Sequence, residues 1–418
     1  MEKKYAGIIT IGDELLIGQV IDTNSSWIAQ QLNQVGILVK KRLAVGDNRT
    51  DIWEALDSMM NETDLILITG GLGPTADDIT KPLLCDYFGG KMVMHQETLE
   101  HVEHIFQHIL KRPMIERNIL QAQVPDVCTV LKNEKGTAPG MLFEKNNTRI
   151  IAMPGVPHEM KWIMHNHVLP NIPNWYSTGF IIHKTLLTAG IGESFLAEKI
   201  KDIEESLPEH IKLAYLPNYG MVRLRLSAWG IDKTTLEKDV DNYFNLLKIR
   251  TENDLVTDED ETMEQVIGRL LTSRKQTLVT AESCTGGYIA HLLSKHAGSS
   301  VFFKGSIVAY ANIIKEELLQ VPHNTLITVG AVSKETVTQM VKEVRIKMNA
   351  DYSIAVSGIM GPGGATAEKP VGMVWIAVAS KENVEVKEFH FRFDRERNIE
   401  LTAINALNML RQMIVDNR

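Results

Sequence analysis

Asp64-Leu65-Ile66-Leu67-Ile68-Thr69 runs directly into Gly70-Gly71-Leu72-Gly73-Pro74-Thr75. An unbroken apolar run of strand length, bounded by a glycine-rich turn, suits a central parallel strand buried on both faces. Working outward, Tyr5–Ile11 and Arg149–Met153 read as further strands, the second ending at Pro154-Gly155. Asn24–Val35 reads as a helix with Trp27, Ile28 and Leu32 on one face. Strands alternating with amphipathic helices give an α/β domain. The same grammar returns in the last third of the chain. There a strand over Thr277–Ala281 feeds Glu282-Ser283-Cys284-Thr285-Gly286-Gly287 and a helix from about Gly287 to Ser294.

Two joints divide the 418 residues. The first is Asn171-Ile172-Pro173-Asn174-Trp175, and the second is Thr257-Asp258-Glu259-Asp260-Glu261. Between them lie strand-like Ile181–Ala189, a helix over Ser194–Glu205, strand-like Met221–Ala228 and a helix around Thr235–Lys248. The reading is three domains, 1–170, 171–256 and 257–418, the middle one a small α+β unit.

Composition narrows the function classes. Hydrophobic residues make up 44% and charged residues 23%, ordinary for a globular chain with developed cores. A formal charge of -8 lacks the basic footprint of a nucleic-acid binder. No apolar run is long enough to cross a bilayer, and the N-terminus enters a strand without a signal-like apolar region. Cys85, Cys128 and Cys284 are odd in number and far apart, so no disulfide framework is expected and a cytoplasmic location is.

The turn after the 277–281 strand has acyl-transfer grammar. It offers a hydroxyl, glycines that let the backbone approach a ligand, and N–H groups able to hold an oxyanion. Ser283 and Cys284 compete as nucleophile, while a capped tight turn is the plain alternative. His291 and His296 read as surface or packing residues. A serine needs a base. Lys315, following the strand that ends near Tyr310, serves only if burial lowers its pKa. Ser357-Gly358-Ile359-Met360-Gly361-Pro362-Gly363-Gly364 ends another strand and can cradle a phosphate, with Arg395 supplying a charged fork. Ligands of open α/β sheets collect at such strand ends.

In the first domain, Thr10-Ile11-Gly12-Asp13-Glu14 follows the first strand, and Gly70–Thr80 follows the buried one. The second is a plausible phosphate cradle, but lacks the dinucleotide fingerprint. Asp77, Asp78 and Asp47 can ligate a hard cation that bridges phosphates, or an aspartate can simply cap a helix.

Ala281–Gly287, Tyr310 with Lys315, Gly330-Ala331-Val332-Ser333, Ser357–Gly364 and Lys369-Pro370-Val371-Gly372 together resemble the CinA C-terminal family of nicotinamide mononucleotide deamidases. The resemblance implies a C-terminal α/β amidohydrolase domain that releases ammonia without a metal. It implies Ser283 as nucleophile, Lys315 as base and Tyr310 as its partner. Thr285, Gly286, Gly287, Ser357, Gly358, Gly361, Gly363 and Arg395 would bind substrate. Ala365, Met373 and Phe393 depart from the family pattern, and an alanine at 365 is costly if that position needs positive φ.

The N-terminal runs, with Lys135-Gly136-Thr137-Ala138-Pro139-Gly140 and Met153-Pro154-Gly155-Val156-Pro157, resemble the CinA N-terminal family. They imply a MogA/MoaB-like three-layer domain that cleaves ADP-ribose with a divalent metal (Mg2+, Mn2+ or Co2+). Asp77 and Asp78 would hold the metal. Gly12, Glu14, Asp47, Gly70, Gly71, Gly73, Thr75, Pro154 and Gly155 would line the substrate site. Pterin or nucleotide binding without hydrolysis is the alternative there. The middle domain resembles the KH-like linker of the same proteins but lacks a Gly-x-x-Gly clamp, so no RNA partner is expected. The expected partners are nicotinamide mononucleotide and ADP-ribose, in a homodimer. The competing reading is a largely non-catalytic competence or DNA-damage interaction protein.

Overall fold

Leu65 and Leu67 face one side of their strand and Ile66 and Ile68 the other, and all four are fully buried. Only a sheet covered on both faces permits that. The computed structural model, which describes residues 3–75 and 78–416, has this arrangement. The chain forms two compact units, residues 1–182 with 228–239 and residues 183–227 with 240–418.

In the N-terminal unit, β1 (Lys4–Ile11), β2 (Ile37–Val45), β3 (Leu65–Thr69), β6 (Thr129–Leu131), β7 (Gly140–Lys145) and β8 (Thr148–Met153) form one sheet ordered β2-β1-β3-β8-β7-β6. The short strands β4 (Met92–Met94) and β5 (Gln123–Pro125) pair separately. β2, β1, β3 and β8 are parallel, and β7 and β6 return antiparallel. Ile52, Leu56 and Met59 of the Arg49–Met60 helix cover one face; Ile28, Leu32, Met160 and Ile163 cover the other. The three-layer expectation is met. Each such side chain contributes ~1.5–3 kcal/mol by leaving water.

The next strands are β9 (Phe180–Ala189), β10 (Ile211–Asn218), β11 (Met221–Gly230) and β12 (Leu255–Thr257), in a sheet ordered β10-β11-β9-β12. Leu187, Ala189, Met221 and Val256 belong to the same apolar core as Met263, Ile289 and Leu407 of the C-terminal segment. Finally, β13 (Leu278–Glu282), β14 (Phe303–Val308), β15 (Tyr352–Gly358), β16 (Met373–Ala379) and β17 (Val384–His390) form a sheet ordered β14-β13-β15-β16-β17. Its first three strands are parallel, so β13 and both its neighbours end on one edge. The 22-residue helix Arg395–Asp416 packs on this sheet. Among the described residues no helix is long and apolar enough to cross a membrane.

Candidate active sites at two strand edges

Glu282 pairs with Val308 on one side and Val356 on the other. Just beyond it, Ser283 N donates to Val356 O (3.1 Å) and Ala309 N donates to Glu282 O (2.8 Å). Two ladders joining three strands thus bring Ser283, Ala309-Tyr310 and Ser357 to one edge. Glu282 itself, which the sequence reading passed over, organises the turn. Its carboxylate is fully buried and accepts from Thr285 Oγ1 (2.7 Å), Ile289 N (3.0 Å), Ala290 N (2.8 Å) and Thr280 Oγ1 (3.1 Å). Four donors satisfy a charge that would otherwise be too costly to bury. The Thr285 hydroxyl is thereby committed to Glu282, which leaves its backbone N–H as the group that can face substrate. The first helical N–H groups, at Ile289 and Ala290, are likewise spent. The N–H groups of Thr285 and Gly287 meet no acceptor among the described residues and remain for an oxyanion. Gly286 and Gly287 have φ of +62° and +99°, which glycine adopts without strain.

Ser283 is buried and its side chain makes no hydrogen bond among the described residues. Lys315, in the Asn312–Leu319 helix, is 1% exposed. Its Nζ donates to Ala309 O (2.7 Å) and Tyr310 O (3.3 Å), and burial lowers its pKa. That is the condition a lysine base requires. The expected Tyr310–Lys315 pairing takes another form. Lys315 meets only the Tyr310 backbone, while the exposed Tyr310 hydroxyl accepts from Arg395 Nη2 (3.0 Å). Arg395 Nη1 donates to Gly361 O (2.8 Å), so one guanidinium spans two loops. Cys284 is buried in the apolar core, and burial pushes its thiol up to about 12. A thiol kept protonated is a poor rival to Ser283. His291 stacks on Tyr288 and His296 pairs with Glu264.

The glycine-rich loop divides by role. Ser357 donates to Ala331 O (2.7 Å), so its hydroxyl is turned away to another loop. Gly358 is required by packing, since a Cβ there would lie 2.8 Å from Met373 O. Gly361 and Gly364 have φ of +85° and +89°; Gly363 is exposed and open. Ala365 does not have positive φ, so the cost foreseen for it does not arise.

The N-terminal edge has the same logic. Gly12 N donates to Val45 O (3.1 Å) and Gly70 N to Met153 O (3.1 Å), gathering four strand ends. A Cβ at Gly70, where φ is +119°, would lie 2.2 Å from Ile11 O. One at Gly71 would lie 2.1 Å from Thr80 Oγ1. Asn24 Nδ2 joins Thr69 Oγ1 (3.3 Å) to Gly155 O (2.7 Å), and Thr69 Oγ1 donates to Pro154 O (2.9 Å). The Glu14 carboxylate folds over Gly12, where a Cβ would lie 2.4 Å from Oε1.

The expected cation ligands behave differently. Asp78 accepts from Gly73 N (2.7 Å) and Thr75 N (2.9 Å), and also from Thr75 Oγ1, so both oxygens brace the loop. Asp47 Oδ2 accepts from Asp13 N (3.1 Å) while Asp47 N donates to Asp13 Oδ1 (3.2 Å). Asp77 lies outside the described residues. Among the described residues no three histidines, cysteines or carboxylates are grouped to hold a metal. Asp78 therefore braces the preceding turn, and it does not cap the helix that begins at Thr80, whose N-cap is Ile79 without a side-chain bond. Lys81, unnoticed in the sequence, is buried next to this loop. Its Nζ donates to Gln121 O (2.6 Å) and Gln123 O (3.3 Å), and burial lowers its pKa to about 8.

Comparisons with known proteins cover the whole chain. A family model described as the CinA C-terminal domain matches residues 260–414. One described as a probable molybdopterin binding domain matches 7–174, and one described as the damage-inducible protein CinA KH domain matches 183–255. A CinA-like protein of Flavobacterium psychrophilum is 45% identical over 413 residues, covering 99% of either chain. Another from Cytophaga hutchinsonii is 43% identical, covering 98% of each. The crystal structure of the competence/damage inducible protein CihA from Agrobacterium tumefaciens is 39% identical over 35% of this chain and 91% of that one, with a TM-score of 0.35.

Proposed function

This chain belongs to the CinA family, with a MogA/MoaB-like N-terminal domain, a CinA KH segment and a CinA C-terminal domain, and from that premise we propose that its C-terminal domain deamidates nicotinamide mononucleotide. The observation that carries this reading is Lys315, a lysine of lowered pKa buried beside the edge that bears the Ser283 turn. Neutral Lys315 takes the Ser283 proton as Oγ attacks the carboxamide carbon. The carbonyl oxygen becomes an oxyanion facing the Thr285 and Gly287 N–H groups. Collapse breaks the C–N bond, and Lys315 returns its proton to the leaving ammonia. Water, deprotonated by the same amine, then hydrolyses the acyl-serine to the carboxylate. The Ser283 side chain and Lys315 lack a mutual hydrogen bond, as is common before substrate tightens a site. Arg395, fixed between Gly361 and Tyr310, is assigned to the phosphate.

For the N-terminal domain we propose binding and cleavage of ADP-ribose, supported by the Gly70-Gly71 turn gathered against Gly12 and Gly155. The expected metal dependence is an assay question, because Asp78 already braces the loop. Product analysis tests both proposals. Ser283→Ala should abolish ammonia release from nicotinamide mononucleotide and leave ADP-ribose turnover intact. Full activity in Ser283→Ala with loss in Cys284→Ala would overturn the nucleophile. ADP-ribose cleavage measured with Mg2+, Mn2+, Co2+ and a chelator decides the metal.

A further inference from the structure

The turn joining β10 to β11 is Pro217-Asn218-Tyr219-Gly220-Met221. Its central residues have φ of +45° and +78°, the pairing of a two-residue hairpin turn. Asn-Gly is the usual sequence there; a tyrosine in left-handed backbone is uncommon enough to need a compensating contact. The compensation comes from the start of the Arg395–Asp416 helix. The Tyr219 side chain shares a cavity wall with Glu400, whose carboxylate raises the phenol's pKa, and a Cβ at the neighbouring Gly220 would lie 3.7 Å from Leu401. The Arg397 guanidinium lies 5.9 Å from the Tyr219 ring and 4.4 Å from the Phe393 ring. Met221 behind the tip is buried in the C-terminal core. A cavity of about 850 Å³ remains between the hairpin and the segment Phe393–Leu401.

The other side of the same helical turn holds the candidate deamidase site. Arg395 reaches Gly361 O and the Tyr310 hydroxyl. Asn398, fully buried, donates to Met360 O (3.1 Å) and Phe393 O (2.9 Å). Residues 395–401 are therefore bonded to the glycine-rich loop on one face and meet the hairpin tip through Arg397 and Leu401 on the other. Phe393, a departure from the family pattern, supplies the ring on which Arg397 rests.

We propose that Tyr219 is a positioning residue for the deamidase site: the hairpin tip fixes the first turn of the C-terminal helix and thereby sets Arg395 against the substrate phosphate. The KH-like segment then serves this chain as a brace for catalysis rather than as a nucleic-acid clamp. The inference rests on the deamidase reading for its kinetic test.

That test uses full-length protein carrying Tyr219→Ala or Tyr219→Phe, assayed on nicotinamide mononucleotide and on nicotinamide riboside, the same amide without its phosphate. Tyr219→Ala should raise KM for the mononucleotide about tenfold with kcat within about twofold, and Tyr219→Phe should fall between it and wild type. Turnover of the riboside should not change. In an Arg395→Ala background, Tyr219→Ala should have no further effect on KM. An unchanged KM, an equal loss on both substrates, or additive effects would overturn the proposal. If wild-type protein releases no ammonia from the mononucleotide, the deamidase reading fails, and hydrogen exchange still judges the brace. Amides of 358–364 and 393–400 should exchange at least about tenfold faster in Tyr219→Ala. Unaltered exchange there would refute it.

Discussion

After β3 the chain turns through Gly70-Gly71-Leu72-Gly73, and after β13 through Ser283–Gly287. Each turn leaves the carboxyl end of a buried parallel strand, contains positive-φ glycines and is braced by one carboxylate. The braces differ. Asp78 lies in a part-exposed loop and holds backbone and hydroxyl donors from five and three residues earlier. Glu282 is fully buried, at the last position of the strand, and holds the helix that follows. A loop braced from its rim can still adjust to a nucleotide. A turn braced from beneath is fixed before substrate arrives, which is what stabilising a short-lived oxyanion demands. Each edge also has a buried lysine held by two backbone carbonyls, Lys81 in one case and Lys315 in the other.

If the buried lysines have different purposes, removing them should separate activity from stability. Lys315→Met should reduce deamidation roughly 10⁴-fold, while ADP-ribose turnover is unaffected. The wild-type rate should rise with pH along a limb whose apparent pKa lies below that of an ordinary lysine, because only the neutral amine is a base. A pH-independent rate across that limb would assign the proton transfer elsewhere.

The two sets of glycines sharpen the contrast next. Gly70→Ala drives a methyl into Ile11 O at positive φ and should destabilise the N-terminal unit by ~4 kcal/mol. Gly286→Ala meets no atom within 4 Å and should cost only ~1 kcal/mol, the conformational penalty alone. Denaturant melts of both variants provide the comparison.

Lys81 should betray itself in the pH dependence of stability. Its folded pKa is lowered to about 8 by burial, against 10.5 for an ordinary lysine. Between these values the unfolded chain retains a proton that the folded lysine has lost, so stability should rise with pH by ~3 kcal/mol across that window. Below about 8 both states are protonated and the burial penalty is constant. Lys81→Met should flatten the slope. The smallest effect concerns the braces. Glu282→Gln places an amide against the Ile289 and Ala290 N–H donors and should lower deamidase kcat roughly 10²-fold. Asp78→Asn should change ADP-ribose turnover less than about tenfold, since a part-exposed loop can recruit water. Equal losses would erase the distinction between the two edges.

Much of this was legible from residue types. The runs read as strands, Asp64–Thr69 and Thr277–Ala281, match the strands Leu65–Thr69 and Leu278–Glu282, because a short β-branched run bounded by a glycine-rich turn suits a buried strand. The glycines after them mark the turns. What stayed hidden were partners supplied from afar. Glu282 reads as a polar strand end until the folded turn presents its donors. Thr285 and Ser357 look like ligand hydroxyls, yet each has a nearer acceptor that only the fold brings up. Tyr310 meets Arg395 across 85 residues of sequence, a pairing no local pattern encodes. Lys81 resembles any solvated lysine at a helix start. That Asp78 braces Gly73 and Thr75 is likewise visible only in the folded loop.

The Arg395–Asp416 helix has a practical consequence. At 22 residues it is a rod about 33 Å long. Its first residue reaches Gly361 and Tyr310, while its far half is tied down by Arg411 to Leu255 O (3.0 Å) and by Arg274 to Ile414 O. Those two ties sit near the end opposite the guanidinium, so a substitution that removes them should let the rod tilt about its anchored first turn. Arg274→Ala or Arg411→Ala is thus a way to disturb the Arg395 contacts from a distance without touching the site.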